Sequence, residues 1–494
     1  MKNTKKMLAA ICALSLSMSI ASCGSTSSSS STDTAAGTAD SASTESTAET
    51  TGTAISMKEE QKEEVASLAE KLDDNKLENT TVKFLSHWDI NPAEGAVVPP
   101  DIQMFWDKYD GKFEYISTTW ENRYTDLAAK VLANESPDFF SAMDMDGFPK
   151  GAIRAMFEPI DDVIDLNSDL WAPAKETNDA FLYKGQHYVA GIQSQPDIVC
   201  IYNTKVVEEK GYEDPAELYY NGEWTWSKFC DMVINFTDQD NEVVGLDGWW
   251  YSKGMCHMSG KAIIGMENGA IVNNMEDPTL TKMQGLMYDL QKNNVCYNLA
   301  ANNWQVRGNT YGQGLSSGET LFYPCGMWAI EAPPENVKPY GDVEAGEVMF
   351  VPMPRMDDSD TTYVSARVDG YFLCKGAQNP EGFAAYMNCR MLCKNEAAEI
   401  GEAQLRDDYK WNDKMIEMRK TVYDLVNQNP VYDFSGGVSD DLLTVMNNNV
   451  TSATVNTGTP MTWTECVQSF KAEVDQLIEQ ANNYLAEEAE SKAE

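Results

Sequence analysis

Three features of the sequence predict an α/β protein built on parallel, helix-covered sheets. From Thr81 onward, short apolar runs suited to strands alternate with segments of helical periodicity. The connections between them are short, so successive elements must lie side by side. The roughly 420 residues after a polar N-terminal stretch, drawn from a chain with 43% hydrophobic residues, are enough for two domains rather than one. Taken in order, Val82–Leu85 is a strand, Ile102–Tyr109 a helix and Phe113–Ile116 a strand. Next comes a helix in which Tyr124, Leu127, Ala128, Val131 and Leu132 form one buried stripe, with Thr119 as its cap. It stops near Ser136-Pro137, and Phe139–Ala142 is the next strand. In a sheet of this βαβα order, ligands approach the carboxyl ends of the strands. The loops leaving those ends are Ser86-His87-Trp88-Asp89 and Met143-Asp144-Met145-Asp146-Gly147.

Ahead of these elements lies MKNTKKMLAAICALSLSMSIASC, with Lys2, Lys5 and Lys6 before a short apolar core and Ile20-Ala21-Ser22-Cys23 at its end. This is a secretory signal whose cleavage box resembles the bacterial lipobox. The resemblance makes residues 1–22 a removed signal and Cys23 the lipidated first residue of the mature protein. An ordinary cleaved signal followed by an incidental cysteine is the competing reading. Residues 23–56 are rich in Ser, Thr and Ala with almost nothing apolar to bury, which reads as a tether. Residues 57–77 have helical composition with a thin stripe of Val65, Leu68 and Leu72, which reads as an exposed spacer helix.

The charge balance, 77 acidic against 37 basic residues for a formal −40, argues against nucleic acid and anionic lipid as partners. After Cys12 in the signal and Cys23, nine cysteines remain at irregular spacings, several inside apolar stretches. They read as small core residues rather than a disulfide framework. Cys389 and Cys393 lie one helical turn apart but lack further ligands nearby, so packing is favoured over a metal.

A series of segments then carries a resemblance over nearly the whole mature chain. Ser136-Pro137-Asp138 is followed by Phe157-Glu158-Pro159-Ile160-Asp161-Asp162 and by the hairpin from Tyr183 to Gly191. Ile201-Tyr202-Asn203-Thr204-Lys205 and Trp224-Thr225-Trp226-Ser227-Lys228-Phe229 come next, with Thr225 as a helix cap. Ser317-Gly318-Glu319 leads into Met327-Trp328, Val351-Pro352-Met353-Pro354 closes a strand, and Lys375 to Met387 forms a strand exit and helix. In this order the segments resemble the family 1 extracellular solute-binding proteins of ATP-driven (ABC) importers, the maltose-binding-protein type. Thr320 to Pro324 departs from the family's usual small apolar pair. The resemblance implies a two-lobe, type II periplasmic-binding-protein-like α/β fold that closes on ligand at a hinge. It places crossings near Gly191–Pro196 and Pro352–Thr362, with lobe 1 at 78–194 plus 363–395 and lobe 2 at 195–362 plus 396–494.

Sugars present flat apolar faces rimmed by hydroxyls, so their sites pair aromatic platforms with short polar or charged groups. The candidate ligand-binding residues are therefore Trp88 with Asp89, Asp144 and Asp146, Trp249 and Trp250, Trp328, and Arg367 with Asp369 and Tyr371. Asp247 and Glu331 lie beside these aromatics, while Trp106, Trp120 and Trp226 are assigned to the core.

Chemistry is not expected. Gly314-Leu315-Ser316-Ser317-Gly318 has nucleophile-elbow spacing but lacks the strand before it and the helix after it. The three histidines, His87, His187 and His257, have no metal spacing. Asp165 to Asp169 with Glu176 has calcium-loop spacing, but Leu170 stands where the turn needs glycine, and Asp238 to Glu242 reads as a turn. Neither a metal nor a cofactor is expected. The expectation is a non-enzymatic, monomeric lipoprotein on the outer face of the cell membrane, held there only by its lipid. It captures a carbohydrate, with an oligosaccharide favoured, and delivers it to the membrane subunits of an ABC importer. A binding protein for a non-sugar solute such as a peptide, a secreted glycan hydrolase and a surface adhesin are the alternatives.

Overall fold

The computed structural model describes residues 57–94, 96–455 and 458–493, with side chains up to 483. The signal, Cys23 and the tether lie outside the described residues. Two mixed β-sheets, each flanked by helices, organise the rest.

In the first sheet Thr81–Ser86 runs parallel to Lys112–Ser117 on one side and to Phe139–Ser141 on the other. The βαβα order forces this, because the helices Pro100–Tyr109 and Arg123–Ala133 carry the chain back between strands. The long strand Val364–Cys374 joins antiparallel to Phe139–Ser141, pairs antiparallel with Phe157–Glu158 and Val189–Pro196, and runs parallel to Pro430–Tyr432. The second sheet has the order Val348–Val351, Val199–Asn203, Thr320–Cys325, Val244–Leu246, and only its last pair is parallel. Wholly parallel sheets were expected. The difference arises where the chain passes from one sheet to the other, because the arriving strand enters without a helical crossover and runs the opposite way.

The chain leaves the first sheet at Pro196, enters the second at Val199, and returns between Val351 and Val364. Asp197 and Ile198 are the only residues between the first two strands. At the second return the Met356–Asp360 loop supplies a cap. Asp357 accepts hydrogen bonds from the backbone and hydroxyl of Ser227 at 3.1 and 2.8 Å, while the Thr225 hydroxyl makes no capping bond of its own.

Buried Asp138 ties the first sheet together, accepting from the backbone N–H of Lys83 and of Asn379, each at 2.8 Å. The helix Glu59–Ala69 is no exposed spacer, since Met57, Val65 and Leu72 are buried in one cluster with Ile102 and Phe105. In the helix Arg123–Ala133 the stripe holds for Leu127, but Leu132 is 84% exposed. Thr119 accepts from the backbone of Asn122 instead of capping the helix directly. The nine cysteines from Cys200 to Cys466 are free, eight of them buried, and Cys393 Sγ lies 3.9 Å from Met104 Sδ.

Candidate ligand cleft

Each sheet offers the carboxyl ends of its parallel strands. In the second sheet, Val244–Leu246 leads into Asp247-Gly248-Trp249-Trp250, and Thr320–Cys325 leads into Gly326-Met327-Trp328. Buried Asp247 shapes the first of these loops by accepting from the backbone of Gly248 at 2.7 Å and of Arg307 at 3.1 Å. Burial pushes its carboxyl up to about 6 despite those bonds. Gly248 sits at φ +111°, where a side chain would be strained. A Cβ on Gly326 would lie 2.2 Å from the Trp328 indole nitrogen, so glycine is what lets this indole fold back against its own loop.

The two loops bring Trp249, Trp250 and Trp328 together around Tyr311. Trp250 stacks on Tyr311 with centroids 5.9 Å apart, and Trp328 stands edge-on to both at 6.0 and 5.4 Å. Trp249 meets Tyr311 edge-on at 5.5 Å and donates its indole N–H to the backbone oxygen of Trp304 at 2.9 Å. Trp328 and Trp249 remain 43% and 36% exposed. Such an open, mutually braced aromatic surface suits a ligand with an apolar face.

In the first sheet the three parallel strands end in His87, Trp120 and the Asp144–Asp146 loop. Arg123 joins them. Its guanidinium donates to Asp146 and to the Trp120 backbone oxygen, lies 3.8 Å from Asp144, and covers the Trp120 ring at 3.5 Å. The Tyr124 hydroxyl donates to the other oxygen of Asp146 at 2.6 Å. Burial, followed by the neighbouring Asp146, raises the Asp144 carboxyl to about 6 against the pull of Arg123 and Arg367.

The crossing residue Asp197 links the two sides. Burial would raise its carboxyl, but Lys253 at 2.9 Å, with Arg367 and His257 beyond, holds it below the ordinary value. Asp144 feels the charges of both Arg367 and Asp197. The Asp197 backbone oxygen in turn lies beside Gly326, one residue from the Met327–Ala329 turn that carries Trp328. Arg367 is half-buried, and its Nε has no hydrogen-bond partner among the described residues.

The remaining candidates lie elsewhere. Trp88 is half-buried edge-on against Phe84, and exposed Asp89 is occupied by the turn it forms with Asn91. Asp369 and Tyr371 are buried. Asp369 is held by Arg390, whose guanidinium also sits 5.1 Å from the Tyr371 ring, and Tyr371 packs against Phe84 and Phe139. Glu331 pairs with Arg419 at 2.8 Å. Trp226 is a core residue and Trp106 is half-buried, whereas Trp120 is 46% exposed and no core residue at all. Sequence reasoning missed Tyr311, Arg123, Lys253 and Asp197.

The segment Gly314–Gly318 is followed by a strand rather than a helix, and Ser317 donates to Glu319. Asp165 forms a turn with Asn167, and the described residues contain no cluster of three or more metal-ligating side chains. Among them no helix is long and apolar enough to cross a membrane.

No curated protein sequence matches this one significantly. Solved structures similar to it include an ABC substrate-binding protein from Listeria monocytogenes in complex with cycloalternan. It shares 15% identity over 83% of this chain and 99% of its own, with a TM-score of 0.53. An ABC transporter solute-binding protein from Thermotoga lettingae bound with α-D-tagatose shares 14% identity over 81% and 100%, with a TM-score of 0.55. A maltose-bound protein of T. maritima shares 15% over 80% and 99%, with a TM-score of 0.53. These likenesses agree on a two-lobe α/β binding-protein fold. The sequence model of the bacterial extracellular solute-binding proteins matches residues 102–399. The chain belongs to the bacterial extracellular solute-binding protein family.

Proposed function

We propose that this protein captures a carbohydrate outside the cell, an oligosaccharide best suiting the site, and hands it unaltered to an ABC importer. The observation that carries this reading is the open cluster of Trp249, Trp250, Tyr311 and Trp328 at the strand ends. One sugar face on a third of an indole contributes about 1–2 kcal/mol. Two or three such stacks, with charge-assisted hydrogen bonds from groups such as Arg367 and Asp144, account for the roughly −8 kcal/mol of micromolar binding. The sugars held by the structurally similar proteins from Listeria, Thermotoga lettingae and T. maritima support the same class of cargo. The two lobes close about the short links 196–199 and 351–364, where a few dihedrals absorb the motion, although Pro430–Tyr432, which the family resemblance places in lobe 2, pairs with the first sheet.

In this reading Cys23 carries the lipid and residues 23–56 hold a monomeric domain away from the membrane. A Cys23→Ser variant is expected to appear in the medium rather than the membrane fraction, and retention at the membrane would remove the anchor.

The cargo is tested by melting the full chain against a panel of mono- and oligosaccharides. Ligand at 100 times its dissociation constant adds about 2.7 kcal/mol. The expected result is a raised midpoint for one glycan family with the glycan recovered intact. Silence with every sugar and a shift with peptides would replace the carbohydrate reading, and recovered glycan fragments would replace transport with hydrolysis.

A further inference from the structure

The aromatic cluster belongs to one side of the cleft, and a two-jawed binding protein needs a surface on the other. The first sheet contains one exposed indole at its strand ends. Trp120 follows the strand Lys112–Ser117 at its carboxyl end, beside the loops that leave Thr81–Ser86 and Phe139–Ser141. It is held by two residues, Arg123 and His87. The Arg123 guanidinium stacks 3.5 Å from its ring centroid, the same guanidinium takes its backbone oxygen, and the His87 ring meets it edge-on at 5.3 Å and 90°.

Arg123 is itself buried, so the face of the indole it covers is the inward one, and the 46% of Trp120 that remains open is on the outward side. A tryptophan with no outside partner gains by folding inward onto apolar neighbours, whereas this one is backed by a cation that is fixed in turn by Asp146 and Asp144. A platform already immobilised loses little rotamer freedom when a ligand arrives. Its surroundings also suit a hydroxyl-rimmed ring. Asp144 lies 3.8 Å from Arg123 and feels the charge of the crossing residue Asp197, and the His87 ring sits at the platform's edge, its proton affinity lowered by burial and by Arg123.

We infer that Trp120 is the first lobe's stacking platform for a pyranose ring of the ligand, with Arg123 as the positioning residue that holds the indole flat. This rests on the carbohydrate reading. On lobe closure, a sugar seated on the Trp250–Trp328 surface meets a second aromatic face, so Trp120 selects for ligands long enough or deep enough to reach both walls.

The test measures the dissociation constant of the full chain for whichever glycan shifts its melting, beside Trp120→Ala, Trp120→Phe and Arg123→Lys. Trp120→Ala is expected to weaken binding about tenfold with the melting point of the free protein nearly unchanged. Trp120→Phe should recover part of that loss, because a smaller ring still stacks. Saturating ligand should protect a larger share of tryptophan fluorescence from acrylamide in the wild type than in Trp120→Phe, a readout that a purely structural role would leave equal. Arg123→Lys should weaken binding less than Trp120→Ala. Wild-type-like affinity in Trp120→Ala, with sugar binding intact, overturns the platform and leaves the carbohydrate reading standing. A wild type that binds no glycan overturns both.

Discussion

Replacing Arg390 with alanine is expected to cost about 3–5 kcal/mol of stability, a large share of the 5–15 kcal/mol that holds a typical domain together. Arg390 lies on the helix Pro380–Leu392, and one of its terminal nitrogens donates to both carboxylate oxygens of Asp369 at 2.9 and 3.1 Å. The other donates to Asp101 at 3.2 Å, which also accepts from the Tyr386 hydroxyl at 3.0 Å. Asp369 comes from the long strand and Asp101 from the first turn of Pro100–Tyr109, so one guanidinium clamps three elements. Both carboxylates are buried, and without the arginine they are left as two like charges in an apolar cluster. Arg390→Lys should restore only part of the loss, because an ammonium does not reproduce the planar fork. The comparison is the melting midpoint against Arg406→Ala, whose partner Asp413 is 93% exposed and whose loss should change stability by no more than about 0.5 kcal/mol. Equal midpoints for the two alanine variants would show that the buried cluster does not hold the first lobe.

The same strand shows why the site was harder to read than the fold. Alternation identifies a strand's faces only where one face is wet, and Val364–Cys374 is buried along nearly its whole length. Arg367, Asp369 and Tyr371 therefore looked equivalent in sequence. Arg390, on the helix behind the strand, holds Asp369 and lies against the Tyr371 ring, so both are buried, whereas Arg367 stays half-buried with its charge felt by Asp197. The elements from Thr81 to Ser141 were legible because their periods change cleanly from two to 3.6. Trp249, Trp250 and Trp328 were found because they follow strand ends, but their partner Tyr311 lies in an aperiodic stretch folded by turns at Gly308, Gly312 and Gly314. No local pattern marks such a residue. Trp120 was misassigned because a tryptophan on a helix is ordinarily core, and this one precedes the helix Arg123–Ala133 instead of lying on it. Only the position of Arg123 shows that its inner face is covered by charge rather than hydrocarbon.

Trp250→Ala and Trp328→Ala are each expected to weaken glycan binding about 5–30-fold, which is what losing 1–2 kcal/mol of stacking amounts to. The two losses should not simply add. Trp250 supports Tyr311 face to face and Trp328 stands against both, so removing one indole loosens the surface the other presents. Trp250→Ala should therefore be the costlier of the two, because it also frees Tyr311, and Trp250→Phe should recover more than half of its loss by keeping a ring beneath that tyrosine. Trp224→Ala is the contrast. That indole is buried and donates to the Pro352 backbone oxygen at 2.9 Å, so its loss should lower the melting point and leave affinity per folded molecule almost intact. Calorimetric titration and melting on the same preparations separate the two kinds of effect. If the double variant Trp250→Ala, Trp328→Ala binds within twofold of the wild type, the ligand does not rest on this wall, and Arg367 with the charged groups around Asp144 and Asp197 becomes the place to look.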